Sequence, residues 1–224
     1  MLLHLKAVLV PDQLHGAREM LTKVKFVDGK ASAGMAASRV KNNQEADRQA
    51  QEIGNLDNLV MGSLIRHPVY RAGALALKVA TPFYARYVPG MRYGNHVDDP
   101  IMGGEHGLYR TDIAITIFLN DPKAYDGGEL AVNTAFGEQK IKLPAGDAVM
   151  YPASSRHRVT EVTRGERLVA VTWVQSLVRD PARRELLYEL NQVRERLLKE
   201  APEAEDTTRI NAVYVNLVRM WSEL

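Results

Sequence analysis

Four residues have the types and spacing to do chemistry together. They are His96 and Asp98 as a His-x-Asp pair, His157 far downstream, and Arg167 ten positions after it. Two imidazoles and one carboxylate can occupy one face of an iron(II) octahedron, leaving the opposite face open for a co-substrate and dioxygen. An arginine supplies what a carboxylate-bearing co-substrate needs, a fixed planar cation that binds in bidentate fashion. Convergence of the four predicts a site for oxidative chemistry, and nothing else in the chain speaks as directly to function.

Local context adds weight. In Tyr93-Gly94-Asn95-His96-Val97-Asp98 the two ligand candidates are i and i+2. On a strand both side chains point the same way and Val97 the other. His157, flanked by Arg156 and Arg158, reads on its own as a surface histidine in a basic loop. Arg164-Gly165 suits a hairpin turn, which would set His157 and Arg167 on neighbouring antiparallel strands. Arg167 then heads a face with Val169, Val171 and Trp173, while Leu168, Ala170 and Thr172 face oppositely. An arginine on an otherwise apolar face makes sense where that face lines a pocket for a buried carboxylate. Arg156, Arg158 and Arg164 read as ordinary surface charges, with Arg164 in the turn itself.

The elements that must position these residues fall in three regions. Residues 1–74 read as an N-terminal support region: a strand over 3–10, a helix opened by Pro11 with Leu14, Ala17, Leu21 and Val24 near one face, and one or two helices over 37–65. Residues 75–177 change texture, with short β-branched and aromatic runs at 83–88, 112–119, 129–132, 147–151 and 167–174. Turn signals such as Asp126-Gly127-Gly128 separate them, which predicts an all-β sandwich or a jelly roll. Residues 178–224 turn helical again, with Leu186, Leu187, Leu190, Val193, Leu197 and Leu198 in one run and Ile210, Val213, Tyr214, Leu217, Val218 and Trp221 in a second. These amphipathic helices need a partner surface, either the β-core or another subunit, so a homo-oligomer built through them is one reading. The segment Asp99–Leu108, with its Gly-rich stretch Met102–Gly107, reads as a mobile loop beside the metal, placed to close over a substrate. Within it His106 reads as solvent-exposed rather than as a ligand.

Composition removes several function classes. The chain has no cysteine, which excludes disulfides, iron–sulfur clusters, thiolate zinc and cysteine nucleophiles. The net charge of +2 is too small to imply a nucleic-acid partner. No run approaches the roughly 18 apolar residues of a membrane span, and no signal peptide opens the chain, so a cytoplasmic protein is expected.

Taken in order, Tyr87-x-x-Gly90-x-x-Tyr93-x-x-His96-x-Asp98, Asp126-Gly127-Gly128-Glu129-Leu130, Gly146-Asp147, His157 and Val162-Thr163-Arg164-Gly165-Glu166-Arg167 resemble the iron(II)- and 2-oxoglutarate-dependent dioxygenases. The likeness is to their prolyl/lysyl-hydroxylase-like branch, and within it to the bacterial PKHD-type hydroxylases associated with iron uptake. The resemblance implies a double-stranded β-helix core flanked by helices. It implies iron(II) on His96, Asp98 and His157, and the distal carboxylate of 2-oxoglutarate on Arg167. Tyr87 stands where a hydroxyl helps hold that carboxylate, and Tyr93 stands near the same pocket. The implied reaction uses dioxygen, releases succinate and carbon dioxide, and draws on ascorbate. Two departures narrow the family: nucleic-acid dealkylases carry an arginine where this chain has Trp173, and cupins want His-x-His where this chain has Asp98. A peptidyl proline or lysine, a free amino acid and a siderophore-like molecule all remain open as substrates. A non-catalytic sensor of iron, 2-oxoglutarate or oxygen is the alternative.

Overall fold

Alternation along one strand sets the architecture. All six residues of Ile113–Phe118 are buried. Ile113, Ile115 and Ile117 join one apolar cluster, and Ala114 and Phe118 another. A strand buried on both faces must be sandwiched, here between helices on one side and a second sheet on the other. The computed structural model describes residues 1–104 and 107–224. Glu105 and His106, the histidine expected to be solvent-exposed, lie outside the described residues.

The larger sheet has eight strands. In spatial order they are Leu3–Leu5, Ala148–Pro152, Ile113–Phe118, Arg167–Ser176, Phe83–Tyr87, Gln44–Ala46 and Phe26–Asp28, with Ala76–Val79 also pairing with Arg167–Ser176. The smaller has five: Gly137–Ile141, Leu130–Thr134, His157–Val159, Arg92–His96 and Lys41–Asn42. The two sheets form a jelly-roll core, the expected double-stranded β-helix. Helices α1 (Pro11–Thr22), α2 (Glu52–Arg66) and α3 (Pro68–Ala74) cover the outer face of the larger sheet through Ala17, Leu21, Leu56, Val60 and Leu64. Helices α4 (Pro181–Glu200) and α5 (Glu205–Trp221) follow the last strand. Among the described residues no helix is long and apolar enough to cross a membrane.

Several expectations need correction. The first strand stops at Leu5, because Ala7 takes a left-handed turn at φ 54°. Residues 37–65 are not all helical: Lys41–Asn42 pairs with Arg92–Tyr93, and Gln44–Ala46 pairs with Phe83–Tyr87. Open edges of both sheets offer backbone partners there, and that tertiary pairing outweighs a helical composition. The stretch expected to be a loop beside the metal contains the paired strands Ile101–Gly104 and Gly107–Arg110. His157 and Arg167 are not on neighbouring strands. After His157's strand, Val162–Arg164 pairs with Asp126–Gly127 in a separate two-stranded ladder, and the turn at Gly165 (φ 72°) leads from there into the larger sheet, so His157 and Arg167 lie in different sheets and line one cavity.

Candidate metal and co-substrate site

His96 ends the Arg92–His96 strand, and Asp98 lies two residues beyond it rather than on it. Across the ladder, His157 pairs with His96 in register. The donor atoms of the three side chains all lie within 4.8 Å of one another. Asp98 Oδ1 is 3.8 Å from His96 Nε2 and 3.7 Å from His157 Nε2. Two metal–ligand bonds of about 2.1 Å can bridge up to about 4.2 Å, so this spacing suits one small cation.

The hydrogen bonds around the three are those a ligand set needs. His96 Nδ1 donates to the Gly94 carbonyl at 2.8 Å, and His157 Nδ1 donates to the Ser155 carbonyl at 2.9 Å. A carbonyl only accepts, so Nδ1 carries the hydrogen in each ring and Nε2 presents its lone pair inward. Burial, reinforced by the neighbouring His157, lowers His96 to about 4 and keeps it neutral near pH 7. Burial raises the Asp98 carboxyl, against the opposing pull of His157 and the Trp173 hydrogen bond. A carboxylate held in so dry a place favours a cation beside it. Trp173 Nε1 donates to Asp98 Oδ2 at 2.9 Å, leaving Oδ1 to face the imidazoles. Tyr93 stacks on His96 with ring centres 3.7 Å apart and planes at 13°.

On the opposite sheet Arg167 is 2% exposed, and its Nε has no hydrogen-bond partner among the described residues. Its guanidinium lies 4.9 Å from the Tyr87 ring and 5.8 Å from the Phe118 ring. Tyr87 is its cross-strand neighbour in the larger sheet. Burial raises the Tyr87 phenol, against the pull of Arg167, so the hydroxyl stays protonated. A buried guanidinium beside a protonated phenol is a cradle for a carboxylate. The backbone makes room for it: a Cβ on Gly128 (φ 67°) would lie 3.1 Å from Arg167 Cδ. Leu130, two residues on, is core.

His96, Asp98, His157, Arg167, Tyr87 and Tyr93 line one partly enclosed cavity of about 110 Å³. Of the competing arginines, Arg158 pairs with Glu138 and the exposed Arg164 pairs with Asp126, both away from it. Sequence reasoning missed Lys41, Asn43 and Glu45, which line the same cavity. Lys41 Nζ donates to Glu45 Oε1 at 2.6 Å and to Ser32 Oγ at 2.8 Å. It also missed Trp173 as a partner of Asp98, although Trp173 shares the Arg167 face.

The 2OG-Fe(II) oxygenase superfamily model matches residues 82–175, and the PKHD-type hydroxylase C-terminal domain model matches 181–223. A PKHD-type hydroxylase of Thioalkalivibrio sulfidiphilus is 53% identical over 224 residues, with both chains covered in full. PKHD-type hydroxylase YbiX of Escherichia coli is 40% identical over 225 residues, again at full coverage. Among solved structures, a prolyl-4-hydroxylase of Pseudomonas putida is similar in fold with a TM-score of 0.52 at 19% identity, covering 78% of this chain and 92% of its own. HygX of Streptomyces hygroscopicus, solved with nickel, 2-oxoglutarate and hygromycin B, is similar with a TM-score of 0.51 at 12% identity, over 79% of this chain and 84% of its own.

Proposed function

This chain belongs to the PKHD-type hydroxylases of the 2OG-Fe(II) oxygenase superfamily, and from that premise we propose that the cavity between its sheets is the hydroxylation centre. The protein is an iron(II)- and 2-oxoglutarate-dependent dioxygenase. In this reading His96, Asp98 and His157 hold the iron, Arg167 and Tyr87 hold the distal carboxylate of 2-oxoglutarate, and Tyr93 backs His96. The observation that carries it is the convergence of two histidines of one sheet and Asp98, just beyond its strand, in the cavity that a buried guanidinium of the other sheet also lines.

Iron(II), when bound, supplies the activation of dioxygen, coupled to oxidation of 2-oxoglutarate to succinate and carbon dioxide. The chain's own residues bind, orient and exclude water. Gly94 and Ser155 fix both imidazole tautomers. Trp173 fixes the carboxylate. Arg167 and Tyr87 would hold the distal carboxylate of the co-substrate and so orient it within the cavity. Ascorbate, as the reductant that keeps the iron ferrous, and a link to iron uptake belong to the same reading on the strength of the family resemblance. A reducing cytoplasm suits the cysteine-free chain.

The test is anaerobic addition of iron(II) and 2-oxoglutarate. The unaltered protein is expected to develop a visible charge-transfer band. His157→Ala abolishes it, and Arg167→Ala raises the 2-oxoglutarate needed for half-saturation about 100-fold, as loss of a buried charge-assisted pair requires. No band from the unaltered protein overturns the assignment.

A further inference from the structure

Helices α4 and α5 bury little of what they carry. Among their residues only Arg184, Leu187, Asn191 and Thr207 are buried. Arg184, Leu187 and Asn191 mark the face of α4 turned to the body, where Arg184 donates to the carbonyls of Val178 and Arg179 at 2.6 and 2.7 Å. Helix α4 packs on α3 and α5, and the main partner of α5 is α4.

The apolar residues left over are ordered. Leu186, Leu190, Val193 and Leu197 recur at i, i+4, i+7 and i+11 along α4, and Ile210, Val213, Leu217 and Met220 at i, i+3, i+7 and i+10 along α5. Each set is one stripe of a helix, and the α4 stripe lies away from its body-facing side. Leu186 is 62%, Val193 39%, Val213 49% and Met220 72% exposed. Polar contacts fix the register of the hairpin: Arg194 Nε donates to Asn211 Oδ1 at 2.8 Å, and the Arg183 guanidinium lies 5.5 Å from the Trp221 ring. In that register Leu186 stands level with Met220, Leu190 with Leu217, Val193 with Val213 and Leu197 with Ile210. By the antiparallel geometry of the pair, both stripes fall on one side of the hairpin.

We propose that a second copy of this chain covers this side, the two hairpins packing about a twofold axis parallel to the helices into a four-helix bundle. Each α4 then lies antiparallel against its partner's α5, and the four apolar layers meet level with themselves. The rims do not oppose this arrangement. Glu189, Arg196 and Glu200 border the α4 stripe and Asp206 and Arg209 the α5 stripe, so each rim carries both signs and no row of like charge faces another. Residues 181–221 carry seven basic and seven acidic side chains, so no net charge opposes pairing of two copies. Helix α5 has 17 residues. A face of that length and two helices wide offers about 500 Å² per copy, so about 1,000 Å² is covered in the pair, the lower bound of a specific interface.

Light scattering of the full chain during gel filtration tests this. A dimer is expected at micromolar concentration. Val193→Glu with Val213→Glu, both at exposed positions, weakens it about 100-fold or more while the far-ultraviolet spectrum and succinate formation persist. Because the chain has no cysteine, introduced thiols report cleanly. Val193→Cys chains mixed with Val213→Cys chains are expected to form a mixed disulfide dimer faster than either alone. A monomeric unaltered protein overturns the proposal, and so does a dimer indifferent to the two glutamates. Faster self-linking of Val193→Cys overturns the arrangement.

Discussion

The cavity and the C-terminal hairpin break the usual inside–outside rule in opposite directions. The cavity buries what water should hold: the Arg167 guanidinium, the Asp98 carboxylate and the Lys41–Glu45 pair. The hairpin exposes what water should reject, with Leu186 and Met220 largely uncovered. Folding alone explains neither. A buried polar cluster costs stability unless a ligand compensates it, and an exposed apolar stripe is uncompensated until a surface covers it. On the readings proposed above, the two regions differ in the kind of partner they await: a small charged ligand in one, a complementary protein face in the other.

The largest effect expected within this contrast comes from Lys41. Its pair with Glu45 is nearly inaccessible, with side chains 7% and 11% exposed. Lys41→Met leaves the Glu45 carboxylate alone in the cavity wall and is expected to destabilise the fold by about 3 to 5 kcal/mol in urea unfolding. Adding Glu45→Met should recover most of that loss. On the hairpin, removing Arg209, whose exposed pair is with Glu205, should cost under about 0.5 kcal/mol in the same experiment. Equal costs in the two regions would erase the distinction.

A second experiment reverses the usual sign of a core mutation. Arg167→Met replaces a buried cation with a side chain of similar length, so the protein without co-substrate should gain about 2 kcal/mol. The unaltered protein should gain thermal stability on adding iron(II) and 2-oxoglutarate together, and the variant much less. A destabilised Arg167→Met protein would mean that the guanidinium serves the fold rather than a ligand.

How far the sequence announced these features depended on the range of the signal. The Arg167 strand was legible because alternation is local: Val169, Val171 and Trp173 had to share its face whatever lay opposite. A two-sheet β core was legible for the same reason, as a series of short runs between turns, and the family resemblance narrowed it to the jelly roll. The contribution of residues 41–45 was not. Lys41 and Glu45 are spaced i, i+4, which reads as a helical ion pair, yet the same spacing also puts both on one face of an extended chain. Only the open edges of two distant sheets decide between these, and no local pattern encodes an edge. The cross-sheet position of His157 relative to Arg167 failed likewise. A turn at Arg164-Gly165 is visible in the residues, but whether it closes a hairpin or bridges two layers depends on what each strand finds to pair with.

The smallest expected effect separates a positioning residue from filler. Trp173 edges against Phe83 with ring centres 5.8 Å apart, so it packs as any large aromatic would. It also donates Nε1–H to Asp98 Oδ2 at 2.9 Å. Trp173→Phe keeps most of the packing and removes the donor. If the hydrogen bond orients the carboxylate, iron(II) affinity should fall about tenfold, the lower end of the cost of losing an outer partner of a ligand. The concentration of 2-oxoglutarate needed at saturating iron should stay unchanged, because Arg167 and Tyr87 are untouched. Trp173→Leu, which removes packing as well, should lower the unfolding midpoint further without a further loss of iron affinity. Were both variants to bind iron as the unaltered protein does, Asp98 would owe its orientation to the backbone beyond His96 alone, and the buried polar cluster would begin one residue further in.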